Sequence, residues 1–240
     1  MDVTTKAVAI RATDYKENDK LVLLYTPDYG KITVHARGVR KGNAKLRYAV
    51  DQFCFGSYEL AVSGDRYTLK NCEQLDSFYD LRQDIVVYYA ACAVAECLIV
   101  GTEEGQSDPQ LFVELLRALE CLVNNKPPMA VVARFVLAFL RMSGFGVDFT
   151  RCSVCGGVSK RMYLAPHRGA LCEGCRTVDS FAVSPIVATM CGLLEGTPYD
   201  KLDELDLSLD CQRDVLQLLN KYMSAVFYPG KCISELVKLA

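Results

Sequence analysis

Two Cys-x-x-Cys knuckles, Cys152-Ser153-Val154-Cys155 and Cys172-Glu173-Gly174-Cys175, stand sixteen residues apart in the second half of the chain. A two-residue spacer lets both sulfurs of a pair turn onto one ion, so this spacing predicts a closed tetrahedral zinc site of four thiolates. Gly156, Gly157 and Gly174 allow the tight backbone that each knuckle needs. A coordination sphere filled by sulfur leaves no open position for water, so the Zn2+ is expected to hold shape and not to hydrolyse. The segment has roughly thirty residues, too few to bury a core of its own, and metal binding worth ~10–16 kcal/mol in comparable peptides would supply most of its stability. The alternative is a pair of disulfides or four free thiols. Against it, the first residues do not read as a signal peptide, and the other eight cysteines, among them Cys92, Cys97, Cys121 and Cys191, stand singly among apolar neighbours. That usage fits small core residues in a reducing cytosol, so a cytoplasmic protein is expected.

At 51% hydrophobic and 23% charged residues, the 240-residue chain has the balance of a globular protein with one large core or several smaller ones. The longest apolar run, Ile85 to Val100, is broken by Glu96 and falls short of the ~20 residues a bilayer requires, so it reads as a buried helix and no membrane partner is expected. The formal net charge of −2 hides a segregation: residues 1–50 carry +5, residues 51–150 carry −7, residues 151–180 carry +3 and residues 181–240 carry −3. Solvated faces clustered by chance are one reading of this pattern; two separate anion-binding surfaces are the other.

Short alternating runs over the first quarter of the chain predict five strands: Val8–Ile10, Leu21–Tyr25, Ile32–Ala36, Phe53–Leu60 and Tyr67–Leu69. Pro27-Asp28-Tyr29-Gly30 and Ser63-Gly64-Asp65-Arg66 supply two hairpin turns. Five strands in this length suggest an OB-type barrel, whose longer connection would hold Gly38 to Leu46. From Phe78 the period becomes helical: Phe78–Val100, Gln110–Asn124 and Met129–Gly144, with Asp108-Pro109 as a helix start and Gly144 as a stop. Two further helices, about Ser184–Leu194 and Leu209–Phe227, and a short amphipathic end at Cys232–Leu239 follow the ribbon. The expected architecture is α+β and multidomain. An OB-fold barrel over 1–77 precedes an all-helical domain in two parts, 78–149 and 182–240, with the zinc ribbon inserted between them at 150–181.

Arg37, Arg40, Lys41, Lys45 and Arg47 surround Gly38 and Gly42 at the loop where such a barrel meets its ligand, a composition suited to phosphates. Tyr15, Tyr29, Tyr48 and Phe53 lie near strand ends where a base could stack, although core packing is the ordinary role of each. Arg151, Lys160, Arg161, Arg168 and Arg176 decorate the ribbon, either as a second DNA contact or as solubilising charge. His167 reads as a turn residue in preference to a metal ligand, and His35 as a strand residue. No Walker loop, GxSxG elbow, HExxH or kinase signature occurs, and the spacing of Asp80, Asp84, Glu103 and Glu104 does not favour a magnesium nuclease site.

The run Thr13-Asp14-Tyr15-Lys16-Glu17-Asn18-Asp19-Lys20-Leu21-Val22 into Tyr25-Thr26-Pro27-Asp28-Tyr29-Gly30, followed by Ala36-Arg37-Gly38-Val39-Arg40-Lys41, resembles the N-terminal signature of the RecO family. The order barrel, helices, four-cysteine ribbon, helices extends the resemblance over essentially the whole chain. It implies a non-enzymatic mediator of bacterial DNA repair and recombination, cytoplasmic and nucleoid-associated. Such proteins bind single- and double-stranded DNA, anneal complementary strands coated by single-stranded DNA-binding protein, and act with RecR to load RecA. The family's basic barrel loop corresponds to Arg37, Arg40 and Lys41, and its zinc ligands to Cys152, Cys155, Cys172 and Cys175. The resemblance also implies recognition of the acidic tail of single-stranded DNA-binding protein by the helical region. Because the chain is acidic overall, its DNA footprint is expected on the barrel, with the ribbon the one further surface left open. An alternative is a zinc-ribbon adaptor whose surfaces bind other proteins, with DNA contact incidental.

Overall fold

Burial alternates along the first strands, and that alternation closes them into a barrel. β1 (Asp2–Tyr15), β2 (Asp19–Thr26), β3 (Gly30–Ala36), β4 (Phe55–Ser63) and β5 (Arg66–Asp76) join in the closed order β1-β2-β3-β5-β4. Val22 and Leu24, Ile32 and Val34, and Tyr58 and Leu60 point inward at every second position and form the core with Ala7 and Ala9. β1 is much longer than its apolar stretch suggests because it serves two partners. Its first half pairs with β4 and its second half with β2, and a bulge at Ile10 bends it from one to the other. β3 and β5 meet in parallel only at Val34–Tyr67 and His35–Thr68. This topology is that of the expected OB barrel.

The computed structural model describes residues 1–227 and 230–239; residues 228, 229 and 240 of the expected C-terminal helical stretch lie outside them. The barrel's compact unit comprises Met1–Asp80 and also Thr102–Leu116. The later segment occupies the stretch of β3 that β5 does not cover: Lys31 bridges Glu104, and the Gly105 amide donates to the Lys31 carbonyl at 3.0 Å. Lys31 itself is buried and its Nζ donates to the Thr102 carbonyl. Gly30, at φ +61°, lies so close that a Cβ would stand 1.9 Å from the Gln106 carbonyl oxygen. α2 (Pro109–Val123) begins in this unit, where Asp108 caps it by accepting from the Gln110 and Leu111 amides at 3.0 Å each. Phe112 then packs on Tyr25 and Phe55 at ring separations of 6.5 and 6.2 Å.

The second unit, Leu81–Gly101 with the chain from Arg117 onward, is helical. α1 (Ile85–Gly101) begins later than the periodicity from Phe78 suggests. Phe78 takes φ +45°, a 3-10 turn spans Tyr79–Arg82, and Asp84 then caps the helix by accepting from Val86 and Val87. α1 is apolar on nearly every face and packs on α3 (Pro128–Met142) and α6 (Cys232–Leu239), while α3 packs on α4 (Pro185–Gly196) and α5 (Leu209–Val226). Helices on both sides of the ribbon therefore share one core. Glu96, the charged interruption in α1, accepts the Cys232 amide at 2.8 Å and so caps α6. α3 ends where Gly144 takes φ +82° and the Phe145 amide returns to the Leu140 carbonyl at 2.7 Å. Between α3 and α4, β6 (Met162–Ala165), β7 (Gly169–Cys172) and β8 (Phe181–Val183) form an antiparallel sheet in the order β7-β6-β8. No helix among the described residues is long and apolar enough to cross a membrane.

Candidate nucleic-acid interface and metal centre

Barrel closure brings the β1–β2 loop, the outer face of β3 and the β4–β5 turn around one cleft of about 540 Å³. Tyr15, Lys16, His35, Arg37, Arg66 and Tyr67 line it, with Asp65 as its one acidic side chain. Tyr15 is 39% exposed, stands edge-on to His35 at 5.4 Å, and carries the Lys16 ammonium 5.2 Å above its ring. The β2–β3 face and the loops flanking it are where OB barrels generally take oligonucleotides. Three cations beside the exposed Tyr15 ring can neutralise phosphates and stack a base, while Tyr67 is half-buried and packs on Tyr29 and the barrel core.

The long loop after β3 is fastened at its start. Asp19 accepts from the Gly38 amide at 2.8 Å and pairs with His35 Nε2 at 2.7 Å. The Gly38 amide first, and His35 second, hold the Asp19 carboxyl below the usual carboxylate range. The Arg40 amide donates to the Asn18 carbonyl at 3.0 Å. All five basic side chains of the loop are exposed, but they do not form one cluster of contacts. Arg37 faces the cleft. Arg40 turns back to Asp14 at 3.1 Å and to the Lys16 carbonyl at 3.3 Å, and Arg47 donates to the Lys41 carbonyl at 2.9 Å. The Arg40–Asp14 pair is open to water and therefore weak. Lys45 points into solvent at the loop's far end.

Of the four aromatic residues considered for stacking, Tyr15 alone lines the cleft. Tyr29 and Tyr48 pack against the barrel core, with the Tyr48 hydroxyl donating to the Cys72 carbonyl, and Phe53 is fully buried. Lys16, Arg66 and Tyr67 were not singled out by sequence reasoning. The signal that locates them is the barrel topology itself, which makes the two short turns neighbours of β3.

The four knuckle cysteines come together, with all four sulfurs within 4.8 Å of one another. Cys155 and Cys172 lie 3.8 Å apart. A tetrahedron with ~2.3 Å metal–sulfur bonds has edges of ~3.8 Å, so the donor set fits one tetrahedral ion. All twelve cysteines are free thiols, and this is the one metal-capable group of side chains among the described residues. The first knuckle turns by Gly156 N–H to Cys152 O at 2.8 Å, the second by Cys175 N–H to Cys172 O at 3.1 Å. Hydrogen bonds from the Cys155 and Cys172 amides bring the Cys152 thiol down to about 6. Contact with the Cys172 and Cys155 sulfurs pushes Cys175 up to about 12. Four negative sulfurs so close repel one another, and a dication removes that conflict. His167, at φ +59° in the β6–β7 turn, packs on Phe145 at 5.6 Å and is not part of the cluster.

The family model described as "Recombination protein O N terminal" matches residues 1–78, and "Recombination protein O C terminal" matches residues 82–228. The chain is 30% identical over 223 residues to "DNA repair protein RecO" of Clostridium novyi, covering 92% of this chain and 87% of the relative. It is 31% identical to the protein of that name from Desulforudis audaxviator, covering 90% and 88%, and 26% identical to that of Bacillus subtilis, covering 90% and 86%.

Proposed function

The chain belongs to the RecO family of DNA repair and recombination proteins, and from that premise we propose that its barrel cleft grips the backbone of single-stranded DNA and brings complementary strands together. The observation that carries this reading is the cleft itself, where Lys16, Arg37 and Arg66 surround Tyr15 and Tyr67. Each cation that neutralises a phosphate releases a counterion, and each base stacked on a tyrosine adds ~1–3 kcal/mol. Neutralising one strand lowers its repulsion toward the other, so annealing needs no covalent step. Arg40, Lys41, Lys45 and Arg47, exposed along the adjoining loop, extend the positive track for the duplex as it forms.

Zinc is the ion we assign to Cys152, Cys155, Cys172 and Cys175, in a structural role, because four sulfur donors close its coordination sphere. The family likeness supports partners as well: RecR, the tail of single-stranded DNA-binding protein, and RecA reached indirectly through loading onto coated strands, in the bacterial cytoplasm at the nucleoid. The test is annealing of complementary oligonucleotides, bare and coated with their cognate binding protein. Annealing slowed at least tenfold in a Lys16→Ala, Arg37→Ala, Arg66→Ala variant supports the reading. An unaltered rate, with partner proteins still bound, would favour a protein-interaction adaptor.

A further inference from the structure

We propose that the helical unit carries a second phosphate-binding site, in the groove where the ribbon meets the end of α3, and that its ligand is a nucleic-acid backbone. The inference rests on the barrel reading only for the kind of polymer bound; the site has its own residues. The groove measures about 300 Å³, and Arg151, Ser153, His167 and Arg168 line it together with Phe145. Both guanidiniums and the imidazole are exposed. Asp148, the one acidic side chain in the lining, already accepts from the Thr150 amide and hydroxyl at 2.8 and 2.6 Å. The lining itself carries two arginines against one carboxylate, a net +1, while Asp179 on the same ribbon lies within electrostatic reach of Arg168.

The backbone that carries the cations is held in place. The Ser153 hydroxyl donates to the Arg168 carbonyl and the Ser153 amide to the Ala170 carbonyl at 2.8 Å, which pins the first knuckle to the β6–β7 turn. Arg151 and Arg168 thus belong to one stiff piece. Phe145 supports the His167 ring from below and is itself braced edge-on by Phe227 at 5.3 Å. At Gly144 and Gly169, both with positive φ, a Cβ would meet nothing within 4 Å, so the mouth is open to solvent.

A nucleic-acid backbone fits better than an acidic peptide because positive charge continues past the groove. Lys160, Arg161 and Arg176 are exposed on the same ribbon, with Arg161 4.0 Å from Glu173 and Arg176 over the Tyr163 ring, and together with the two arginines of the groove they bring residues 151–180 to +3. A track of separated cations matches a polymer with a charge at every repeat. A molecule with one strand site in each unit can hold two strands at once.

The experiment is salt-titrated binding of a single-stranded oligonucleotide by the metal-loaded full chain and by Arg151→Ala with Arg168→Ala. Each phosphate contact contributes a log–log slope of about −0.7 on single strands, hence about 5-fold between 1 M and 0.1 M salt. Losing two contacts should flatten the slope by about 1.4 and weaken binding at 0.1 M about 25-fold, and Arg151→Lys with Arg168→Lys should retain most of the slope. An unaltered slope at wild-type metal content, while the barrel variant weakens binding, would overturn the ribbon site and leave the barrel reading intact. The reverse pattern would overturn the barrel reading and support the ribbon site. An oligoglutamate peptide that binds wild type but not the alanine pair, with DNA binding unaltered, would overturn the proposal in favour of a protein partner. Should the alanine pair lose its metal, oligonucleotide-induced shifts of the wild-type 144–153 and 167–170 amide signals decide: shifts support the site, and none overturns it.

Discussion

Gly30→Ala and Gly64→Ala form a matched pair that isolates what the segment after α1 does for the barrel. Both glycines are left-handed, at φ +61° and +57°, so both substitutions incur the backbone penalty of roughly 1–2 kcal/mol. A Cβ at Gly64 meets nothing within 4 Å, whereas one at Gly30 stands 1.9 Å from the Gln106 carbonyl oxygen and 2.5 Å from its carbon. Backbone atoms cannot swing aside as a flexible side chain can, so the segment must back away from β3. That movement strains the Gly105–Lys31 amide bond and the bond from Lys31 Nζ to the Thr102 carbonyl. A neutral bond is worth about 1 kcal/mol and one to a charged group about 1.5–3 kcal/mol. Gly30→Ala should therefore cost about 3.5–6 kcal/mol if both bonds are lost, against about 1–2 kcal/mol for Gly64→Ala. The chain has no tryptophan, so hydrogen exchange of barrel amides across a urea series is the assay. Equal losses at the two positions, within about 0.5 kcal/mol, would refute the claim that residues 102–106 brace the stretch of β3 that β5 leaves uncovered.

Cys172→Ser should abolish metal binding and the exchange protection of the ribbon sheet while leaving barrel amides unaltered; metal content by mass spectrometry and exchange check both. Glu96→Ala removes the cap of α6, a loss of about 0.5–2 kcal/mol, and amides 232–239 should be the first to exchange; unaltered protection there would contradict the capping role. The Asp19 carboxyl is held below its ordinary value of 3.8 by the Gly38 amide and His35. A depressed folded value means its contribution is complete above about pH 3.8 and is lost as pH falls through the lower folded value. The Gly38 amide should accordingly lose protection only in acid below that point, and Asp19→Asn should remove this step.

Local patterns made much of the molecule legible before its structure. The cysteine site follows from two pairs that each place their own sulfurs, needing only a sheet to bring the pairs together. The barrel strands follow from alternation at Val22 and Leu24 or Ile32 and Val34, and the start of α2 follows from Asp108-Pro109. What stayed hidden depends on distant partners. The Lys31–Glu104 bridge has no periodic signature, so residues 102–116 read as a prelude to a helix and not as part of the barrel's unit. Glu96 reads as an interruption in an apolar run because its partner, the Cys232 amide, lies 136 residues away. Basic composition drew attention to the loop from Arg37 to Arg47, while Lys16 and Arg66, single charges in short turns, become neighbours of Arg37 only when β5 closes on β3.

Salt dependence of single-stranded DNA binding by the Lys16→Ala, Arg37→Ala, Arg66→Ala variant tests the central claim most directly. Three phosphate contacts at about 0.7 each predict a log–log slope flatter by about 2 and affinity at 0.1 M salt lower by about two orders of magnitude, irrespective of base sequence. A slope and affinity equal to wild type, with the barrel still folded, would contradict it.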